Sequence, residues 1–142
     1  MKKFNKVVVV FCSILLFAGS GIAAAACSQV NAKGTWRVHG LVWDVLGVDE
    51  TESFNCKLKI GSSGGVSASK STCRVFREGT VDVTGGKVVM ASNCTMSGKL
   101  KTISGTVKFR SGQMDRSKNS FTAVGVDSLE ANLEYFISGV RQ

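Results

Sequence analysis

The sequence predicts an all-β protein, a small antiparallel up-and-down (meander) barrel of about eight strands. Three observations lead there. Proline is absent while 16 glycines punctuate the chain. β-Branched and aromatic residues alternate with polar ones over short segments, which is strand chemistry broken by glycine turns. No segment sustains a helical period over several turns.

Residues 1–26 read differently from the rest. Lys2, Lys3 and Lys6 precede an apolar run from Val7 to Phe17, and small residues follow up to Ala26. That order of positive charge, apolar stretch and small side chains is the pattern of a secretory signal peptide, cleaved after Ala24, Ala25 or Ala26. At 20 residues, Val7–Ala26 is also long enough to anchor the chain in a bilayer if left uncleaved. Its small-residue end suits a peptidase better than a membrane span, so no transmembrane segment is expected after cleavage. A short, lysine-rich signal looks bacterial and points to a periplasmic or secreted protein, in which cysteines oxidise.

Cleavage leaves residues 27–142, one domain with one modest core. Three of the 18 Lys and Arg lie in the signal and all ten Asp and Glu lie beyond it, so the net charge of +8 falls to +5. This mild excess favours acidic surfaces or polymers as partners.

The strands follow in order. Thr35 to His39 opens the first, with Trp36, Val38 and Val42 on one face. Phe54 to Ile60 places Phe54, Cys56, Leu58 and Ile60 on one face at the two-residue period. Thr72 to Phe76 comes after a Gly/Ser loop. Thr80–Val83 and Lys87–Met90 flank Thr84-Gly85-Gly86, which reads as a hairpin turn. Cys94–Lys101 and Thr106–Arg110 are next, the latter with Val107 and Phe109 inward against Lys108 and Arg110 outward. Asp127-Ser128-Leu129-Glu130 forms a turn between Phe121–Val126 and a last strand over Ala131–Val140. Pairing the first strand with the last removes both sheet edges, and a closed barrel of this size can hold one small ligand.

Gly34-Thr35-Trp36 at the start of the first strand, with Arg141 near the chain's end, resembles the calycin group of lipocalins, fatty-acid-binding proteins and avidins. The resemblance implies that Trp36 sits at the closed end of a barrel with Arg141 packed across it, a cation over an aromatic face. It also implies a non-enzymatic barrel binding a small apolar ligand in its interior, with Trp36, Val38, Val107 and Phe109 as lining candidates. Avidin-like biotin sites use several tryptophans spread along the chain, whereas Trp36 and Trp43 here share one strand region.

Cys12 leaves with the signal, and Cys27, Cys56, Cys73 and Cys94 remain. Four cysteines allow three connectivities. Cys56 and Cys73 bracket the Gly/Ser loop and are expected to lock its two strands, leaving Cys27 to tie the N-terminus to Cys94. Ala24-Ala25-Ala26-Cys27 also resembles a lipoprotein lipobox, which would put a lipid on Cys27 and leave an odd thiol.

Other motifs carry less chemistry. Gly61-Ser62-Ser63-Gly64-Gly65 matches the Gly-x-Ser-x-Gly nucleophile elbow. That motif needs a following helix and a later histidine, while His39 precedes it, so a flexible hairpin loop is expected. A lone, outward-facing His39 and widely spaced cysteines make no metal site and no cofactor is expected. Asp44, Asp49, Glu50 and Glu52 read as a solvated acidic loop without the spacing of a calcium site. Lys99, Lys101, Lys108 and Arg110, with Arg116 and Lys118 beyond them, form a basic stretch. The four on neighbouring strands could make one patch for an anionic envelope component. Aromatics do not interleave on that face, which argues against nucleic acid. The two readings are therefore a ligand-binding barrel and a solid-core envelope or surface protein working through its basic patch; nothing points to an enzyme.

Overall fold

The computed structural model describes residues 26–46, 51–130 and 132–142. The expected signal therefore lies outside the described residues except for Ala26, as do Asp49 and Glu50. Eight strands follow one another as β1 (Gly34–Asp44), β2 (Glu52–Ile60), β3 (Thr72–Val75), β4 (Gly79–Met90), β5 (Thr95–Thr102), β6 (Thr106–Met114), β7 (Ser120–Asp127) and β8 (Leu133–Arg141). Each pairs antiparallel with its sequence neighbour, and β1 pairs with β8 from Trp36↔Arg141 to Asp44↔Leu133, closing the barrel.

Alternation decides which side chains face in. Trp36 and Val38 of β1, Leu58 and Ile60 of β2, and Val81 and Val83 of β4 are buried, while Arg37, His39, Lys57, Lys59, Asp82 and Thr84 between and beside them are exposed. Closure satisfies every strand's hydrogen bonds without leaving an edge to aggregate.

The structure corrects the expected hairpin at Thr84-Gly85-Gly86. The chain does not reverse there; β4 continues as a single strand through a register shift between Val83 and Gly85 opposite β5. Gly85 and Gly86 take φ of 142° and 146°, a region open to glycine but strained for L-residues. A Cβ on Gly86 would stand 2.4 Å from the Lys99 carbonyl oxygen, so the glycine lets β4 bend against β5 rather than turn back. A second shift, between Phe109 and Ser111, carries β6 past Arg110 to Met114, beyond the strand end expected from the sequence.

The Gly/Ser loop is likewise not a loose hairpin connection. β3 has only four residues, and the loop fills the space beside the second half of β4. Val88 N–H donates to the Gly64 carbonyl at 2.9 Å, and Val66 N–H to Gly86 at 3.1 Å. A 3-10 turn over Gln29–Ala32 covers this end, its Gln29 side chain donating to the Val88 carbonyl and accepting from Met90 N–H, each at 3.0 Å.

Candidate functional site

The up-and-down order gives the barrel two unlike ends. Connections β2–β3, β4–β5 and β6–β7 lie at the end plugged by the 3-10 turn, and β1–β2, β3–β4, β5–β6 and β7–β8 at the other.

Trp36 builds the plug. It is 1% exposed, its indole Nε1–H donates to the Ala32 carbonyl at 2.9 Å, and its ring meets Phe121 edge-on with centroids 5.3 Å apart. Arg141, its cross-strand partner, holds its guanidinium carbon 4.9 Å above the ring and donates from Nη2 to the Asn31 carbonyl. The pair expected from the sequence is thus brought together. One assignment changes: Trp36 is the floor under the cavity and does not line it, because Phe121 and the 3-10 turn hold it against the closed end.

Above this floor lies a cavity of about 300 Å³, opening at the far end. Val38, Val107 and Phe109 line it, together with Leu58, Leu100 and Ile137. Half-buried Phe54 and Tyr135, whose rings meet edge-on at 6.1 Å, close its side near the mouth.

The charged side chains at the mouth are of one sign. Glu52, Glu78, Asp127 and Glu130 contribute to its lining, and among the described residues no Lys or Arg does. Ser104 Oγ donates to Glu78 Oε2 at 3.4 Å, and Tyr135 donates its hydroxyl to Asp127 Oδ2 at 3.4 Å. Burial raises the Tyr135 phenol well above its usual range, and the charges of Asp127, Glu130 and Glu78 raise it further. Around this mouth, Val45 and Leu46, Phe76, Ile103 and Leu129 stand exposed, so that each connection at this end presents at least one apolar side chain. Sequence reading missed both features, although the meander order, applied to the acids flanking each strand, would have gathered them at one end.

Asp44 corrects the solvated acidic loop. It is only 3% exposed, and Oδ1 accepts from Leu46 N–H at 2.9 Å and from the Asn132 amide at 3.0 Å, clasping β1 to the approach of β8. Glu52 turns toward the cavity mouth instead.

Lys99, Lys101, Lys108 and Arg110 are all exposed on the outer wall. Lys99 lies directly opposite Lys108 on β6 and opposite Lys87 on β4, making a three-lysine row in which Lys87 joins two residues of the basic stretch. Arg116 and Lys118 sit apart, in the β6–β7 connection at the closed end. His39 is exposed on β1. Leu41, Phe136 and Val124 form an exposed apolar row across β1, β8 and β7, with Trp43 6.5 Å from Phe136.

Cys56 bonds to Cys73 across β2 and β3, and Cys27 to Cys94. Lipidation would need the Cys27 sulfur that this disulfide occupies, so the lipobox alternative is set aside. Two disulfides mark an oxidising, extracytoplasmic setting.

No protein-family model matches the chain, and no curated protein matches it. Among solved structures it is similar to one described as a redesigned β-barrel, with a TM-score of 0.51 and 17% identity over 82% of this chain and 98% of that one. At that identity the likeness concerns the fold alone.

Proposed function

We propose that the chain is an exported, non-enzymatic barrel of calycin type that binds a small apolar ligand in its interior. One observation carries this reading: the barrel core is not filled, and an apolar cavity of about 300 Å³ opens at one end. That volume lies at the lower end of small-molecule sites. Trp36 beneath Arg141 at the plugged end adds support from the calycin resemblance. The lysine-rich N-terminal segment together with the disulfides supports a periplasmic or secreted location.

The test uses the uncharged fluorescent probe 1-N-phenylnaphthylamine. It is expected to bind saturably at one site per chain, and Val107→Trp, which fills the cavity wall, should weaken binding at least about tenfold without lowering thermal stability comparably. Absence of saturable binding, or binding untouched by the bulky residue, would overturn the reading.

A second reading rests on the Lys87–Lys99–Lys108 row. Like charges directly opposite across strands destabilise a sheet, so an anionic envelope component laid along the row would relieve the repulsion. Binding to anionic lipid vesicles that falls steeply with salt and is lost in Lys99→Glu would support it; binding indifferent to both would exclude it.

A further inference from the structure

Resting on the reading of the cavity as a ligand site, we infer that its ligand is a cationic amphiphile, with an apolar body held inside the barrel and a positively charged head at the mouth.

The argument starts from how charge is distributed. Residues 27–142 are net basic, yet Glu52, Glu78, Asp127 and Glu130 gather at the cavity mouth, and no Lys or Arg of the described residues lines it. Three separate connections supply them. Glu52 opens β2, Glu78 precedes β4, and Asp127 and Glu130 flank the turn before β8. The β5–β6 turn links two of these regions: Ser104 donates to Glu78, and a Cβ on Gly105 would lie 3.2 Å from Asp127 Oδ2.

Below this rim the wall is apolar. Leu58, Leu100, Val107 and Phe109 offer an alkyl or aryl body contact but no partner for a buried charge. A ligand matched to both regions is apolar at one end and positive at the other. An anionic amphiphile such as a fatty acid would set its head against four carboxylates, and like charges brought together there repel. Tyr135 joins the two regions, its ring against Phe54 in the wall and its hydroxyl donating to Asp127 Oδ2 at the rim. The basic row lies on the outer wall and plays no part in lining the cavity.

The experiment displaces bound 1-N-phenylnaphthylamine with three ligands of one chain length: decyltrimethylammonium, decyl sulfate and decanol. Exposed ion pairs are individually worth at most a few-fold in affinity, so several acting together set the expected gap at about tenfold in favour of the cation over the sulfate. Decanol should fall between them. Glu78→Gln/Glu130→Gln removes two of the four carboxylates and should narrow that gap by weakening the cation relative to decanol. Equal displacement by all three, or tighter binding of the sulfate, overturns the head-group inference and leaves the apolar cavity standing. A gap of undiminished size in the double variant also overturns it, by showing that the mouth carboxylates do not select the charge. If neither the probe nor any decyl ligand binds, the cavity reading fails and the inference fails with it.

Discussion

Asp115 shows how much one surface side chain can organise. Its Oδ1 accepts from the N–H groups of Asn119 and Ser120, each at 2.9 Å, and its other oxygen accepts from the Ser117 hydroxyl. These bonds fix the β6–β7 connection, where Lys118 takes a φ of 60°. The Ser117 hydroxyl and then the Ser120 N–H hold the carboxyl down at about 2, against an ordinary 3.8. A depressed folded-state value means the contribution is fully present above the ordinary value and is lost as pH falls toward the depressed one. Asp115→Ala should therefore lower Tm at pH 6, and the difference from the parent chain should shrink between pH 4 and about pH 2. Thermal melts of both proteins across that range check this; a difference independent of pH would mean that the carboxylate's charge is irrelevant. Trp36 follows the same logic within the core, where a single side chain joins the 3-10 turn, β7 and the last arginine.

Strands in this barrel are matched by volume as well as by hydrogen bonds. Gly139 on β8 lies opposite Phe121 on β7. A Cβ there would come within 2.2 Å of Phe121 Cε1, and Phe121 cannot easily yield because its ring abuts Trp36. The glycine thus supplies space for an aromatic ring in the plug rather than backbone freedom. Gly139→Ala should destabilise the fold by about 1–3 kcal/mol, as overpacking of a filled core does. Chemical denaturation measures it, and a loss below about 0.5 kcal/mol would show that the plug relaxes freely. The alternation that made β2 legible in the sequence works for the same reason: inward and outward positions have period two. At β4 that rule misled, because two consecutive glycines serve a hairpin and a bulge equally well. Only the partner strand β5 distinguishes them.

For the whole molecule, disulfides and closure act together. The Cys27–Cys94 bridge spans 67 residues and Cys56–Cys73 spans 17, so chain entropy assigns them about 4 and 3 kcal/mol respectively. Those are large shares for a small domain, in which net stability is about 5–15 kcal/mol. The longer bridge also pins the segment before the 3-10 turn beside the β4–β5 connection, where Cys27 N–H donates to the Ser92 carbonyl at 2.9 Å. By itself the sequence determined the strand class, the inward faces of β1, β2 and β6, and the presence of four cysteines after residue 26, because alternation and residue chemistry are local. Gly34-Thr35-Trp36 and Arg141 also raised the Trp36–Arg141 pairing as an expectation, and the two meet in the structure. Tertiary structure alone decided that β4 is unbroken, that Asp44 is buried, that Lys87 joins Lys99 and Lys108, and that the interior is open above Trp36. It alone also set Glu52, Glu78, Asp127 and Glu130 around one mouth. These features depend on residues far apart in sequence meeting across a closed sheet, and no local pattern of side chains records the register or the curvature that brings them together.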